Sequence, residues 1–167
     1  MNLPPLSERP REIAVNFNPA LTAAVLWHTV SAYAVSDESS GPSALPYPLL
    51  FLILPLVLHE STRTAMPRDR RTRLQMWLSE HGEVLDGFAA RASWLAPYTR
   101  EGLIFGAACG VLAVNADGRI KTGSSTVAEP TSADHTAQIF AKAKLVGRWF
   151  AQIPDPTAVF QMLGVKP

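Results

Sequence analysis

Between Pro46 and Pro67 the chain reads PYPLLFLILPLVLHESTRTAMP, and from Leu49 to Leu58 no position carries a charge or a strongly hydrogen-bonding side chain. A bilayer span needs about 18 such residues, so this run is too short to cross a membrane and must be covered by protein. Pro48 suits the first turn of a helix, whereas Pro55 removes a mid-helix hydrogen bond. The pattern predicts two short helical pieces bent around Pro55 and closed by Pro67. A segment apolar on every face is covered either by its own fold or by a partner subunit, and the pattern leaves both open.

The flanking patterns are mostly helical. Met1 to Glu12 mixes three prolines with charge and reads as an extended arm that orders where it docks. Asn18-Pro19 is a cap followed by a first-turn proline and starts a helix to about Val35, whose residues Leu21, Val25, Leu26, Trp27, Val30 and Tyr33 wrap most of its circumference. Ser36 to Pro46 is a loop. Leu74, Trp77 and Leu78 line one helix that Gly82 is placed to end in a left-handed conformation; Val84, Leu85, Phe88, Ala92 and Leu95 line a second; a turn at Ala96-Pro97 leads to a third, about Thr99 to Ala108. Val111–Val114 and Arg119–Thr122 read as strands joined by the Asn115-Ala116-Asp117-Gly118 turn. Three helices followed by a hairpin is the order of a winged helix. Ser132 can cap a long helix to about Ile153 with two apolar stripes, and Asp155-Pro156 starts a last short helix that Gly164 ends.

The expected fold is therefore mainly α: one domain with an arm (1–12), N-terminal helices (13–66), a winged-helix-like unit with a small β-hairpin (68–123) and C-terminal helices (132–167). A chain of 167 residues is long enough for one real core. Charged residues make up only 17% of it, against about 25% in ordinary soluble proteins, which fits either a neutral, Ala-rich surface or one partly covered in an assembly. A net charge of +1 argues against gripping nucleic acid by bulk electrostatics. Cys109 is the single cysteine, so no internal disulfide forms, and a cytoplasmic location with no membrane partner is expected.

Catalytic signatures are missing where they begin to form. His59-Glu60 opens like a zinc-protease helix, but position 63 is Arg63 and not the second histidine. His28, His81 and His135 have no cluster spacing, Gly102, Gly106 and Gly110 lack the lysine and hydroxyl of a phosphate loop, and Cys109 sits in an apolar stretch. The glycines read instead as places where another element packs closely. No enzyme, cofactor or metal is expected. The run RDRRTR, with Arg68, Arg70, Arg71 and Arg73 around Asp69, is either a solvated helix start or a contact for phosphate or an acidic partner; Arg63, and Arg119 and Lys121 on the hairpin, join it as contact candidates. A recognition helix needs several polar side chains for base edges. REGLIFGAAC offers only Arg100 and Glu101, so its outer face suits protein better than DNA.

Taken together, PYPLLFLILPLVLHESTR, YTREGLIFGAACGVLAVNADGRI and GRWFAQIPDPTAVFQMLGVKP resemble the middle-component family of bacterial three-component ABC ATPase systems, related in arrangement to accessory subunits of Lamassu-type defence. The resemblance runs from about Pro10 to Lys166. It implies a non-enzymatic adaptor that bridges an SMC-like (Rad50-like) ABC ATPase and an effector protein in anti-phage or anti-plasmid immunity, with DNA reached through the complex. The alternative is a DNA-binding winged-helix transcriptional regulator.

Overall fold

A computed structural model of the chain describes residues 3–36, 44–68, 71–130 and 135–166. The Asn18-Pro19 start behaves as its chemistry dictates: Asn18 Oδ1 accepts the Leu21 N–H at 2.7 Å, and Pro19 is the first residue of a long helix, Pro19–Ser36. Ahead of it the expected extended arm is partly helical, with a 3-10 turn at Leu6–Glu8 and the helix α1 at Arg11–Asn16. Pro10 immediately precedes α1, where a missing N–H costs nothing. Arg9 fastens this arm, its two terminal nitrogens donating to Glu101 at 2.8 and 2.5 Å and its Nε to the Pro4 carbonyl at 2.8 Å.

The long helix, α2, is the hub of the fold. It makes the two most extensive helix–helix contacts of the fold, and Val25, Leu26, His28, Thr29 and Val30 on it have no solvent exposure. Two glycines set how close its neighbours come. A Cβ on Gly102 would lie 2.5 Å from Thr22 Oγ1, and one on Gly147 would lie 2.2 Å from the Thr29 carbonyl oxygen, so a larger residue at either place would push a helix off α2. Gly102 thus has the close-packing role its spacing suggested.

The apolar run forms a 3-10 turn at Tyr47–Leu49, then α3 (Leu50–Val57) and α4 (Glu60–Ala65). The two pieces do not divide at Pro55 as expected; α3 continues through it and the chain breaks at Leu58–His59. In so short a helix Pro55, the sixth of eight residues, forfeits only the bond to the Phe51 carbonyl, and the packing around α3 holds the helix together. Arg63 closes its end, with Nη1 donating to the Val57 and Leu58 carbonyls at 3.2 and 3.3 Å. The cover is the chain's own: Leu50, Leu52, Ile53, Leu54, Leu56 and Val57 are fully buried, with α3 packed on α2, α4 and two helices from later in the chain.

Leu74–Glu80 forms α5, and a 3-10 turn at Gly82–Leu85 follows. Gly82 does not take the left-handed conformation expected of it; Gly87, φ 65°, does, at the start of the next helix. That helix, α6 (Phe88–Ala108), fuses the second and third helices of the expected order and passes through Pro97. The carbonyl that Pro97 leaves without a partner belongs to Ser93, on the exposed side where water can take it. The hairpin is as expected: β1 (Leu112–Val114) pairs antiparallel with β2 (Ile120–Thr122), Asn115 Oδ1 accepts the Asp117 and Arg119 N–H groups, and Gly118 turns at φ 71°. Leu45 adds a bridge to Ile120 on the outer edge of β2.

The helix α7 (His135–Ala151) packs along α2, and α8 (Pro156–Met162) is capped by Asp155, which accepts the Thr157 N–H at 2.9 Å. The expected cap at Ser132 and most of the Ser36–Pro46 loop, with Asp37 and Glu38, lie outside the described residues. Trp77 of α5 and Trp149 of α7 stack at 5.1 Å; their indole N–H groups donate to the Ala65 and Thr72 carbonyls and fasten the segment between α4 and α5 onto α7. The result is a mainly α protein with one small hairpin.

Candidate functional site

The cationic residues singled out in the sequence do not form one patch. Arg63 is buried at the end of α3, while Arg68, Arg71 and Arg73 are exposed on the segment leading to α5. Arg70 lies outside the described residues. Arg119 and Lys121 sit on the hairpin, with Arg119 donating to the Ala44 carbonyl at 3.3 Å and Lys121 exposed on β2.

Arg63 and Arg68 do share a cleft, and the other side of it is α7. The cleft has a volume of about 740 Å³, and α7 supplies Lys142, Lys144 and Arg148; among the described residues Glu129 is the one carboxylate in its lining. Lys142 Nζ donates to the Met66 and Pro67 carbonyls at 2.8 and 3.1 Å, and Lys144 Nζ donates to Glu129. Burial, and then the neighbouring Arg68, push the Lys142 pKa down, while the bond from Lys144 holds Glu129 below the usual carboxylate range. Sequence reading missed the α7 half because KAKLVGR reads as the polar positions of a packed helix. Only the fold sets it opposite Arg63.

A second concavity, of about 710 Å³, is apolar. One wall is the Tyr47–Leu52 segment, the floor is the α6 track of Ala89, Ala92, Ser93 and Ala96, and the far wall is Phe160 with the chain from Gly164 to Lys166. Small residues at this helical spacing let a partner helix approach the α6 backbone closely. Arg100, which lies 5.3 Å over the Phe51 ring, and Lys166 are its charged lining residues among those described, and none of the described lining residues is a carboxylate. Further along, α6 stays apolar in the open: Ile104 is 70% exposed and Phe105 39%, while Trp94 on another face is 52% exposed beside Phe17. The apolar outer face read from REGLIFGAAC is therefore present, and Glu101, one of its two polar residues, is bound to Arg9.

His28 stands apart from both. It has no exposure, neither ring nitrogen has a hydrogen-bond partner among the described residues, and Glu129 Oε1 lies 3.8 Å from Nδ1. Burial lowers its pKa from 6.5 to about 4, against the opposing pull of Glu129 and with a small push from Lys144. His59 bonds to Thr62 Oγ1 at 2.8 Å, His81 stacks on Trp77, and among the described residues no group of three His, Cys, Asp or Glu side chains is placed to hold a metal ion. No helix of the described residues is long and apolar enough to cross a membrane.

Comparison with known proteins gives one match. The model of the family described as ABC-three component (ABC-3C) system Middle Component 3 matches residues 6–167. No curated protein and no solved structure matches the chain significantly.

Proposed function

The chain belongs to this family of middle components of three-component ABC systems, and from that membership we propose that it is a non-enzymatic accessory subunit that bridges an SMC-like (Rad50-like) ABC ATPase and an effector in a bacterial anti-phage or anti-plasmid defence complex. The observation that carries the bridging role is the groove beside α6. Its small-residue floor and apolar walls suit an amphipathic helix, and its lining cations Arg100 and Lys166 suit one with acidic residues beside its apolar ridge. We assign the groove to such a helix from another component of the same system. The exposed Ile104 and Phe105 extend that surface along α6. Against the alternative, a DNA-binding regulator, the C-terminal half of α6 presents few polar groups for base edges: Arg100 covers Phe51 and Glu101 is held by Arg9.

The test is to tag the chain, express it with its neighbouring genes, and identify what stays bound at about 0.3 M salt, where exposed charge contacts are heavily screened. Recovery of an ABC ATPase and a third protein supports the bridge. Ser93→Trp, which fills the groove from an exposed position, is expected to release one of them while leaving the melting temperature unchanged. Recovery of the chain alone sinks the adaptor reading, and a Ser93→Trp chain that retains every partner sinks the groove.

A further inference from the structure

We propose that the cleft between α4, the segment after it and α7 binds the phosphate groups of a small, nucleotide-sized ligand. Among the described residues five cationic side chains and one carboxylate line it, and the cations come from separate parts of the chain: Arg63 from α4, Arg68 just after it, Lys142, Lys144 and Arg148 from α7. Such a gathering works against folding unless something else holds it, because like charges brought together repel. The fold supplies part of the compensation locally. Arg63 and Lys142 donate to main-chain carbonyls, and Lys144 donates to Glu129. Neither backbone contact carries a countercharge, so Arg63 and Lys142 keep charge that a multiply charged anion in the cleft would neutralise.

The chemistry favours phosphate. An arginine fork and an ammonium group both pair well with phosphate oxygens, and the several oxygens of a diphosphate can engage more than one cation at once. Shape favours a small ligand. A concavity of about 740 Å³ lies within the ordinary range for small-molecule sites, whereas a duplex backbone is met by an open, convex or grooved surface. The buried Arg63, held by its own bonds to the Val57 and Leu58 carbonyls, gives the ligand a pre-positioned cation at the wall of the cleft. Glu129 is the natural competitor, since a bound phosphate would take Lys144 from it. This site is separate from the α6 groove and does not depend on the docking proposed there.

The experiment is titration calorimetry on the full chain, with thermal melts alongside. Inorganic pyrophosphate is the first probe, ATP the second, and a single-stranded oligonucleotide with or without a 5′-phosphate the third. Pyrophosphate is expected to bind and raise the melting temperature, and ATP to bind at least as tightly. Arg68→Gln and Lys144→Gln, both changes at partly or fully exposed side chains, are each expected to weaken binding about tenfold, the loss of one charge-assisted contact, with the unliganded melt nearly unchanged. Glu129→Gln is expected to strengthen it severalfold by freeing Lys144. The inference is overturned if pyrophosphate at about 10 mM gives neither heat nor a melting shift, well above the Kd of a useful site. It is equally overturned if both variants bind as the unaltered chain does, or if the unphosphorylated oligonucleotide outcompetes pyrophosphate, which would assign the cleft to a nucleic-acid backbone.

Discussion

Two apolar stretches of this protein meet opposite fates. In α3 every residue from Leu52 to Val57 is buried by the chain itself, where the pattern had left open cover by the fold or by a partner. In α6, where alanines and glycines dilute the apolar character, Ile104, Phe105 and Trp94 remain in the open. The lesson is that the greasiest run marks the core, because nothing in it can face water. An interface that must also exist alone is built from small residues with a few large ones between them.

Substitution can break this contrast. Leu54→Ala in α3 is expected to cost about 2–5 kcal/mol through lost burial and an unfilled cavity, read as a lower denaturation midpoint. A loss under about 1 kcal/mol would mean that α3 is loosely held and that its cover comes from elsewhere. Acid titration tests the interior next to it. The His28 imidazole stays neutral in the fold down to about 4, while in the unfolded chain it takes up a proton near 6.5. Between those values the unfolded state binds the proton that the fold refuses, so stability falls as pH drops through that window and levels off below it. The shift corresponds to about 3 kcal/mol at most, with Glu129 and Lys144 the charged groups that tune it. His28→Leu is expected to flatten that slope and to leave the protein no less stable at neutral pH, since it removes two buried nitrogens without partners. An unchanged slope would place the titration elsewhere.

Smaller effects sharpen the other side of the comparison. Glu101→Gln removes the countercharge of a buried arginine and is expected to cost about 1–3 kcal/mol, with the arm before α2 becoming the first site of limited proteolysis. Ile104→Asp, on the open face of α6, is expected to change stability by less than about 0.5 kcal/mol yet to reduce recovery of partners. If it unfolds the chain instead, that face belongs to the core and the contrast with α3 fails.

What could be read in advance was what neighbouring residues decide among themselves. Asn18-Pro19, Asp155-Pro156 and the Asn115–Gly118 turn carry their own caps and φ requirements, and each appears where its chemistry put it. Pro97 and Gly82 misled for the converse reason. A proline or glycine states a local preference, and packing against α2 keeps α6 whole through the first, while the second needs no positive φ where it falls. The cleft was partly legible: Arg63 and Arg68 stood out in the sequence, but Lys142 and Lys144 acquire meaning only when α7 lies across from Arg63, some 80 residues away in the chain. The groove was least legible, because alanines at helical spacing look the same whether they face a core or a partner.

The central place of α2 has a consequence for how the protein is made. Its main packing partner, α7, follows about a hundred residues later, so its most buried face has no permanent cover while the chain is still emerging from the ribosome. Folding of such a topology waits on long-range closure, and nascent chains stalled before α7 would carry an exposed apolar helix that invites chaperones or aggregation. The far wall of the groove beside α6 is itself Phe160 with Gly164 to Lys166, so the docking proposed there has to wait until that stretch has been made.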